Sequence, residues 1–160
     1  LRPDLPGFDS EPVWHMRTVP DALEMRKRVL EGSVKQAVVL GAGFIGLEAA
    51  EALAHQGVKT TIVELAPHVL PPTEPEVAAR VTSELHRLGI ETVTGVAAAS
   101  IEPSGDAVDV DLADGRRLPA DLAGIRRTVG RVACLLAHAR RGRTPDRAGG
   151  RGRRPAARLR

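Results

Sequence analysis

Residues 36–65 read QAVVLGAGFIGLEAAEALAHQGVKTTIVEL. A short apolar run, residues 36–40, ends in three glycines within six positions: Gly41, Gly43 and Gly46. Alanine-rich sequence follows over 44–56 and stops before Gly57, and residues 58–64 are rich in β-branched side chains. The first and last runs have strand character, and the middle one has helix character. A strand, a helix and a second strand within about 30 residues make a βαβ unit, whose two strands run parallel.

The same alternation continues downstream. After Pro71-Pro72, the stretch EPEVAARVTSELHRLG places Val77, Val81, Leu85 and Leu88 on one helical face before Gly89. IETVTG, residues 90–95, reads as a third strand. AAASIEP, DAVDVDLADG and RRLPADL then alternate apolar and polar residues around Gly105 and Asp114-Gly115, the pattern of an antiparallel meander. Upstream, DALEMRKRVLE at 21–31 predicts a helix with Asp21 as N-cap and Leu23, Met25, Val29 and Leu30 on its apolar side. Residues 1–20 are rich in proline and turn formers and read as a connecting segment. The expected fold is α/β: a Rossmann-like parallel sheet with helices and an antiparallel β-meander, with the last strand of the sheet missing.

The glycine spacing is GxGxxG, placed between a strand and a helix. Gly41 permits the tight turn, Gly43 lets a pyrophosphate approach the backbone, and Gly46 allows close packing of helix on strand. The phosphates would rest on the N–H groups and partial positive charge of the helix N-terminus. Glu64 lies 18 residues beyond Gly46, at the end of the second strand. A carboxylate there suits the two hydroxyls of an adenosine ribose and repels a 2′-phosphate. No Lys or Arg occurs between 65 and 79, so NAD(H) is expected over NADP(H). A glycine-rich turn without a ligand is the structural alternative. Periodicity leaves Phe44 and Glu48 open between core packing and helix-dipole complementarity on one side and a binding role on the other.

Composition divides the chain. Residues 1–121 hold 11 Lys and Arg against 19 Asp and Glu, a net −8. Residues 122–160 hold 12 Arg against Asp146 alone, a net +11. The tail is Arg-, Gly-, Ala- and Pro-rich and is expected to be disordered. A switch to all-arginine basic residues within an expected strand fits out-of-frame translation of a GC-rich gene, which sequencing the locus would test. A nucleic-acid-binding arm is the less favoured alternative, since no aromatic accompanies the arginines. No apolar run approaches the ~20 residues of a membrane span, and no signal-peptide pattern opens the chain, so a cytoplasmic location is expected. Cys134 is the sole cysteine, which excludes an internal disulfide and a CxxC zinc or redox site within these residues; no metal site is expected.

GAGFIGLEAAEAL resembles the pyridine nucleotide–disulfide oxidoreductases, FAD enzymes with an inserted NAD-binding domain. The likeness continues through VELAPHVLPPTEPEVA, HRLGIETVTG and DLADGRRLPADL, to about residue 122. It is most similar to the coenzyme A-disulfide reductase and NADH oxidase branch, and LPGFDSEPVWHMRTVPDAL is similar to the linker that leads in from the FAD domain. The resemblance implies three segments: linker and helix over 1–34, an NAD(H)-binding domain over 35–122, and the basic tail over 123–160. It implies cofactor contacts from Gly41, Gly43, Phe44, Ile45, Gly46, Glu48 and Glu64. In the family, the aromatic at the Phe44 position shields the flavin until nicotinamide displaces it, and the acid at Glu48 lies beside the nicotinamide amide. His68 stands where an arginine is frequent.

The family's FAD domain and redox-active cysteine would precede this chain, and its second FAD segment and dimerisation domain would follow the NAD domain. Cys134 lies on the wrong side to be the nucleophile. The expectation is an NAD(H)-binding domain that passes hydride from NADH to flavin in a complete enzyme. Taken alone, it would contribute no catalytic residue and would not turn over. A stand-alone nucleotide-binding or redox-sensing module is the alternative.

Overall fold

A computed structural model describes residues 5–10, 13, 14 and 18–123. The expected disorder of the tail and the expectation that Cys134 is not the nucleophile therefore concern residues outside this set. The expected parallel sheet is present, with four strands in the order β3-β2-β1-β7. They are β1 (Gln36–Leu40), β2 (Lys59–Glu64), β3 (Glu91–Thr94) and β7 (Leu122–Ala123). Helices α1 (Val19–Leu30), α2 (Phe44–His55) and α3 (Pro75–Arg87) alternate with the first three strands. β4 (Ala98–Ser104), β5 (Ala107–Leu112) and β6 (Arg117–Ala120) form the expected antiparallel meander. The last sheet strand, expected to be missing, is present in part as β7, because Leu122 and Ala123 are still apolar enough to be buried beside β1. Its two residues pair in parallel with Ala37 and Val38 of β1 and lie immediately after the point where composition changes.

Alternation along each strand divides the interior into two cores. On one face, Ala37, Val39 and Ile62 join Ala49, Ala50 and Leu53 of α2, Met25 of α1 and Leu85 of α3. On the other, Val38 and Val63 meet Ile101, Val108 and Val110 of the meander. Covering both faces explains why residues 37–40, AVVL, are continuously apolar where an exposed sheet would alternate.

Two helices differ from the reading of their sequence. α1 begins at Val19, and Thr18 is its N-cap in place of Asp21. Thr18 Oγ1 accepts from the Asp21 amide at 3.4 Å, and the Asp21 carboxylate accepts from the Thr18 amide at 2.7 Å, a reciprocal capping box. The buried face of α1 is Ala22, Met25 and Val29, while Leu23 and Leu30 are exposed. In α3 the buried residues are Ala78 and Leu85, with Val81 and Leu88 partly covered and Val77 exposed. The reason is common to both helices. Each buried face includes an alanine, Ala22 or Ala78, that a count of large apolar residues passes over, while the larger Leu23 and Val77 one position away lie outside it.

The proline-rich opening stretch is held against the fold. Phe8 is 5% exposed in the meander-side core, a burial that contributes about 2 kcal/mol. Gly7, at φ +78°, lies so close to the meander that a Cβ would fall 1.7 Å from the Ile101 carbonyl oxygen. The Trp14 amide donates to the Ala123 carbonyl at 2.9 Å beside a parallel bridge from Val13, so this segment covers the free side of β7.

On the meander surface, the Arg117 guanidinium grips Asp111 through Nε at 2.6 Å and Nη2 at 2.9 Å, with Asp109 and Glu102 nearby. The hydrogen bond from Arg117 holds the Asp111 carboxyl below its ordinary value, a shift opposed by partial desolvation and aided by Ser100. A depressed carboxyl contributes stability above its unfolded-state pKa and loses it as pH falls through the folded one. Arg117→Ala is therefore expected to raise the Asp111 titration midpoint, followed by carboxyl NMR. The stability advantage of the parent over the variant should shrink as pH falls through the acid range. An unchanged midpoint would contradict the pairing.

Candidate functional site

The strand order reverses at β1: β2 and β3 lie on one side and β7 on the other. Ligands of open α/β sheets bind outside the carboxyl ends of the strands at such a reversal. The glycine-rich turn occupies that place, joining β1 to α2. Gly41 has φ +101°, a value that L side chains rarely adopt, and its amide donates to the Val63 carbonyl at 2.8 Å. Gly46 is buried, and a Cβ there would lie 1.9 Å from the Gly41 carbonyl oxygen. Gly43 is different: it is exposed, and a Cβ would meet nothing within 4 Å. Glycine at 46 is therefore demanded by the fold, whereas the fold makes no demand for it at 43. Space above Gly43 is what a ligand approaching the backbone requires.

Gly43 is the N-cap of α2, and no side chain caps that terminus. The amides of the first helical turn have no intrahelical acceptors, so they and the dipole face the open space over Gly43. Ile45 offers its amide here, while its side chain packs partly on the helix-side core. These fixed partial charges favour an anion even though residues 1–121 carry a net −8.

Glu64 ends the neighbouring strand, with its carboxylate reaching the turn. Oε2 accepts from the Ala42 amide at 2.7 Å, and Oε1 accepts from the Ala66 amide at 2.8 Å. A carboxylate has about four lone-pair positions, so two remain for further donors. The structure thus brings Glu64 and the three glycines together. It also gives Glu64 a backbone-holding role that sequence reasoning missed, because only folding brings residue 42 beside residue 64.

Phe44 is 68% exposed at the start of α2. That exposure removes core packing as its explanation. Glu48 is also exposed and lies beyond the first helical turn, where the dipole effect has faded. Both border a groove of about 640 Å³ between α2 and α3, with Leu47, Leu70 and Val81 among its apolar walls. His68 faces the backbone, with Nδ1 2.9 Å from the Val69 carbonyl oxygen. Leu65, next to Glu64, is 70% exposed and was not singled out from sequence; its neighbourhood to the acid is the signal that could have found it. Among the described residues, no three His, Cys, Asp or Glu side chains gather to ligate a metal ion, and no helix is long and apolar enough to cross a membrane.

Comparison with known proteins agrees with this geometry. Residues 1–134 match the family model described as pyridine nucleotide-disulphide oxidoreductase. The chain is 37% identical over 121 residues to the NADH-dependent phenylglyoxylate dehydrogenase subunit epsilon of Aromatoleum evansii, covering 75% of this chain and 28% of that one. It is 37% identical over 92 residues to an NADH oxidase of Methanocaldococcus jannaschii, covering 57% and 20%. A NAD-dependent persulfide reductase from A. fulgidus superposes with a TM-score of 0.74 at 32% identity, covering 80% of this chain and 24% of that one. The chain thus spans about a quarter of the length of these relatives. Family members are FAD- and NAD(P)H-dependent oxidoreductases. With the βαβ turn, the meander and the docked opening segment all covered by the match, this chain belongs to the pyridine nucleotide-disulphide oxidoreductase family.

Proposed function

We propose that residues 35–122 are the NAD(H)-binding domain of a FAD-dependent oxidoreductase, entered through the linker and helix of residues 1–34. The observation that carries this reading is the open space over Gly43 at the uncapped N-terminus of α2, with the Glu64 carboxylate on the adjoining strand. The pyrophosphate rests on the amides of Gly43, Phe44, Ile45 and Gly46, with Gly41 shaping the turn. Glu64 accepts from the adenosine ribose hydroxyls through its remaining lone pairs. Phe44, held out in solvent, shields the reacting face until nicotinamide displaces it, and Glu48 receives the nicotinamide amide. In the longer enzyme, NADH bound here supplies hydride to FAD; this chain's own residues bind, orient and shield the nicotinamide. Similarity to an NADH oxidase and a persulfide reductase supports a place near the coenzyme A-disulfide reductase and NADH oxidase branch.

The test is a titration of the 160-residue chain with NADH and with NADPH. NADH is expected to bind in the micromolar range and at least about tenfold more tightly than NADPH, a difference of roughly 1.4 kcal/mol. Equal affinities would remove the ribose assignment, and no binding of either would remove the site.

A further inference from the structure

We infer that the connection between β2 and α3, residues 65–74, acts with Glu64 as a clamp on the glycine-rich turn, with Leu70 as its positioning residue. The inference rests on the dinucleotide reading of that turn and adds a cause for its geometry. Ala42 stands between Gly41 and Gly43. Its N–H donates to Glu64 Oε2 at 2.7 Å, and its carbonyl accepts from the Leu70 amide at 2.8 Å. Both peptide planes of Ala42 are therefore held from one side by the chain that leaves β2.

Leu70 is the one non-glycine with positive φ among the described residues, at +49°. It precedes Pro71, a position from which extended backbone is the ordinary expectation. A branched side chain in the left-handed region is strained and persists where its surroundings over-determine it. Here they do. Its side chain is 6% exposed, and its carbonyl accepts from the Thr73 amide at 2.8 Å and from Thr73 Oγ1 at 2.9 Å. The positive φ lets one residue give its N–H to Ala42 and its carbonyl to Thr73.

Two glycines leave the turn with conformational freedom that a bound pyrophosphate would have to remove. A clamp on the residue between them removes it beforehand, which strengthens binding without adding a contact to the ligand. Glu64 belongs to the clamp and to the proposed ribose site alike, so the two ends of the adenosine diphosphate are joined through one carboxylate.

The first measurement is amide hydrogen exchange on the 160-residue chain without ligand. The amides of Ala42 and Leu70 should exchange slowly, and that of Gly43 fast. The second compares Leu70→Gly with Leu70→Pro, which lose the same buried side chain. Glycine keeps the N–H and adopts φ +49° freely; proline does neither. Leu70→Pro is expected to bind inorganic pyrophosphate and NADH about tenfold more weakly than Leu70→Gly. Equal binding by two folded variants, or Ala42 and Leu70 amides as fast as that of Gly43, would overturn the clamp. The exchange measurement needs no variant, so it decides even if Leu70→Pro fails to fold. A parent chain that binds neither probe would sink the dinucleotide reading, while exchange would still judge the clamp.

Discussion

Gly46→Ala is expected to lower the melting temperature by roughly 10 °C and to abolish NADH binding. In an exposed helix the same change would add about 1 kcal/mol of stability, because alanine is the better helix former. Here the new methyl would sit 1.9 Å from the Gly41 carbonyl oxygen, with the Val39 side chain at 3.6 Å behind it. The near atom is backbone within a turn held by β2 and the chain that leaves it, so α2 must lift from β1. Overpacking of this kind costs about 3 kcal/mol, which outweighs the propensity gain and reverses its sign. Gly43→Ala is the control. Its methyl meets no protein atom within 4 Å, and the residue already has φ −76°. The loss of a glycine N-cap should lower the melting temperature by only about 3 °C. Binding should nevertheless fall by about tenfold or more, since the methyl occupies the space assigned to pyrophosphate. Thermal melts with NADH titrations check both. A Gly46→Ala chain as stable as its parent would contradict the packing, and Gly43→Ala with undiminished affinity would contradict the phosphate site.

Glu64→Ala carries the second large effect. Two hydrogen bonds from ribose hydroxyls to a carboxylate are charge-assisted, and losing such bonds costs about 1.5–3 kcal/mol, or roughly tenfold to a hundredfold in affinity. The substitution also takes away the acceptor of the Ala42 and Ala66 amides, so the turn loosens as the ribose contact disappears. NADPH should be less affected than NADH, because removing the negative charge relieves its repulsion of the 2′-phosphate. The preference for NADH should therefore collapse toward equality. Calorimetric titration of parent and variant with both cofactors decides it, and indifference of NADH to the substitution would contradict the role of Glu64.

Much of the site was legible because its residues are close in sequence and each glycine has a local task. Strand β1 occupies the five residues whose apolar run marked it, and α2 begins at Phe44 and ends before Gly57 as expected. Helix faces were less legible. Counting large apolar residues also selected Leu23, Leu30 and Val77, all exposed, because the buried faces include the small Ala22 and Ala78 instead. Leu70 was invisible: its position before Pro71 argues for extended backbone, and only its contacts with Ala42 and Thr73 hold it elsewhere.

Local information was enough for the order of elements, the meander, the glycine-rich turn and the acid at the end of β2. Periodicity and turn chemistry act over a few residues, and they survive without knowledge of what packs where. Contacts between distant residues settled the rest: β7 beside β1, Phe8 beneath the meander, Phe44 out in solvent, and the Glu64 carboxylate beside Ala42. Each depends on which faces meet when the sheet closes between its helices and its meander, and no short stretch of chain encodes that meeting.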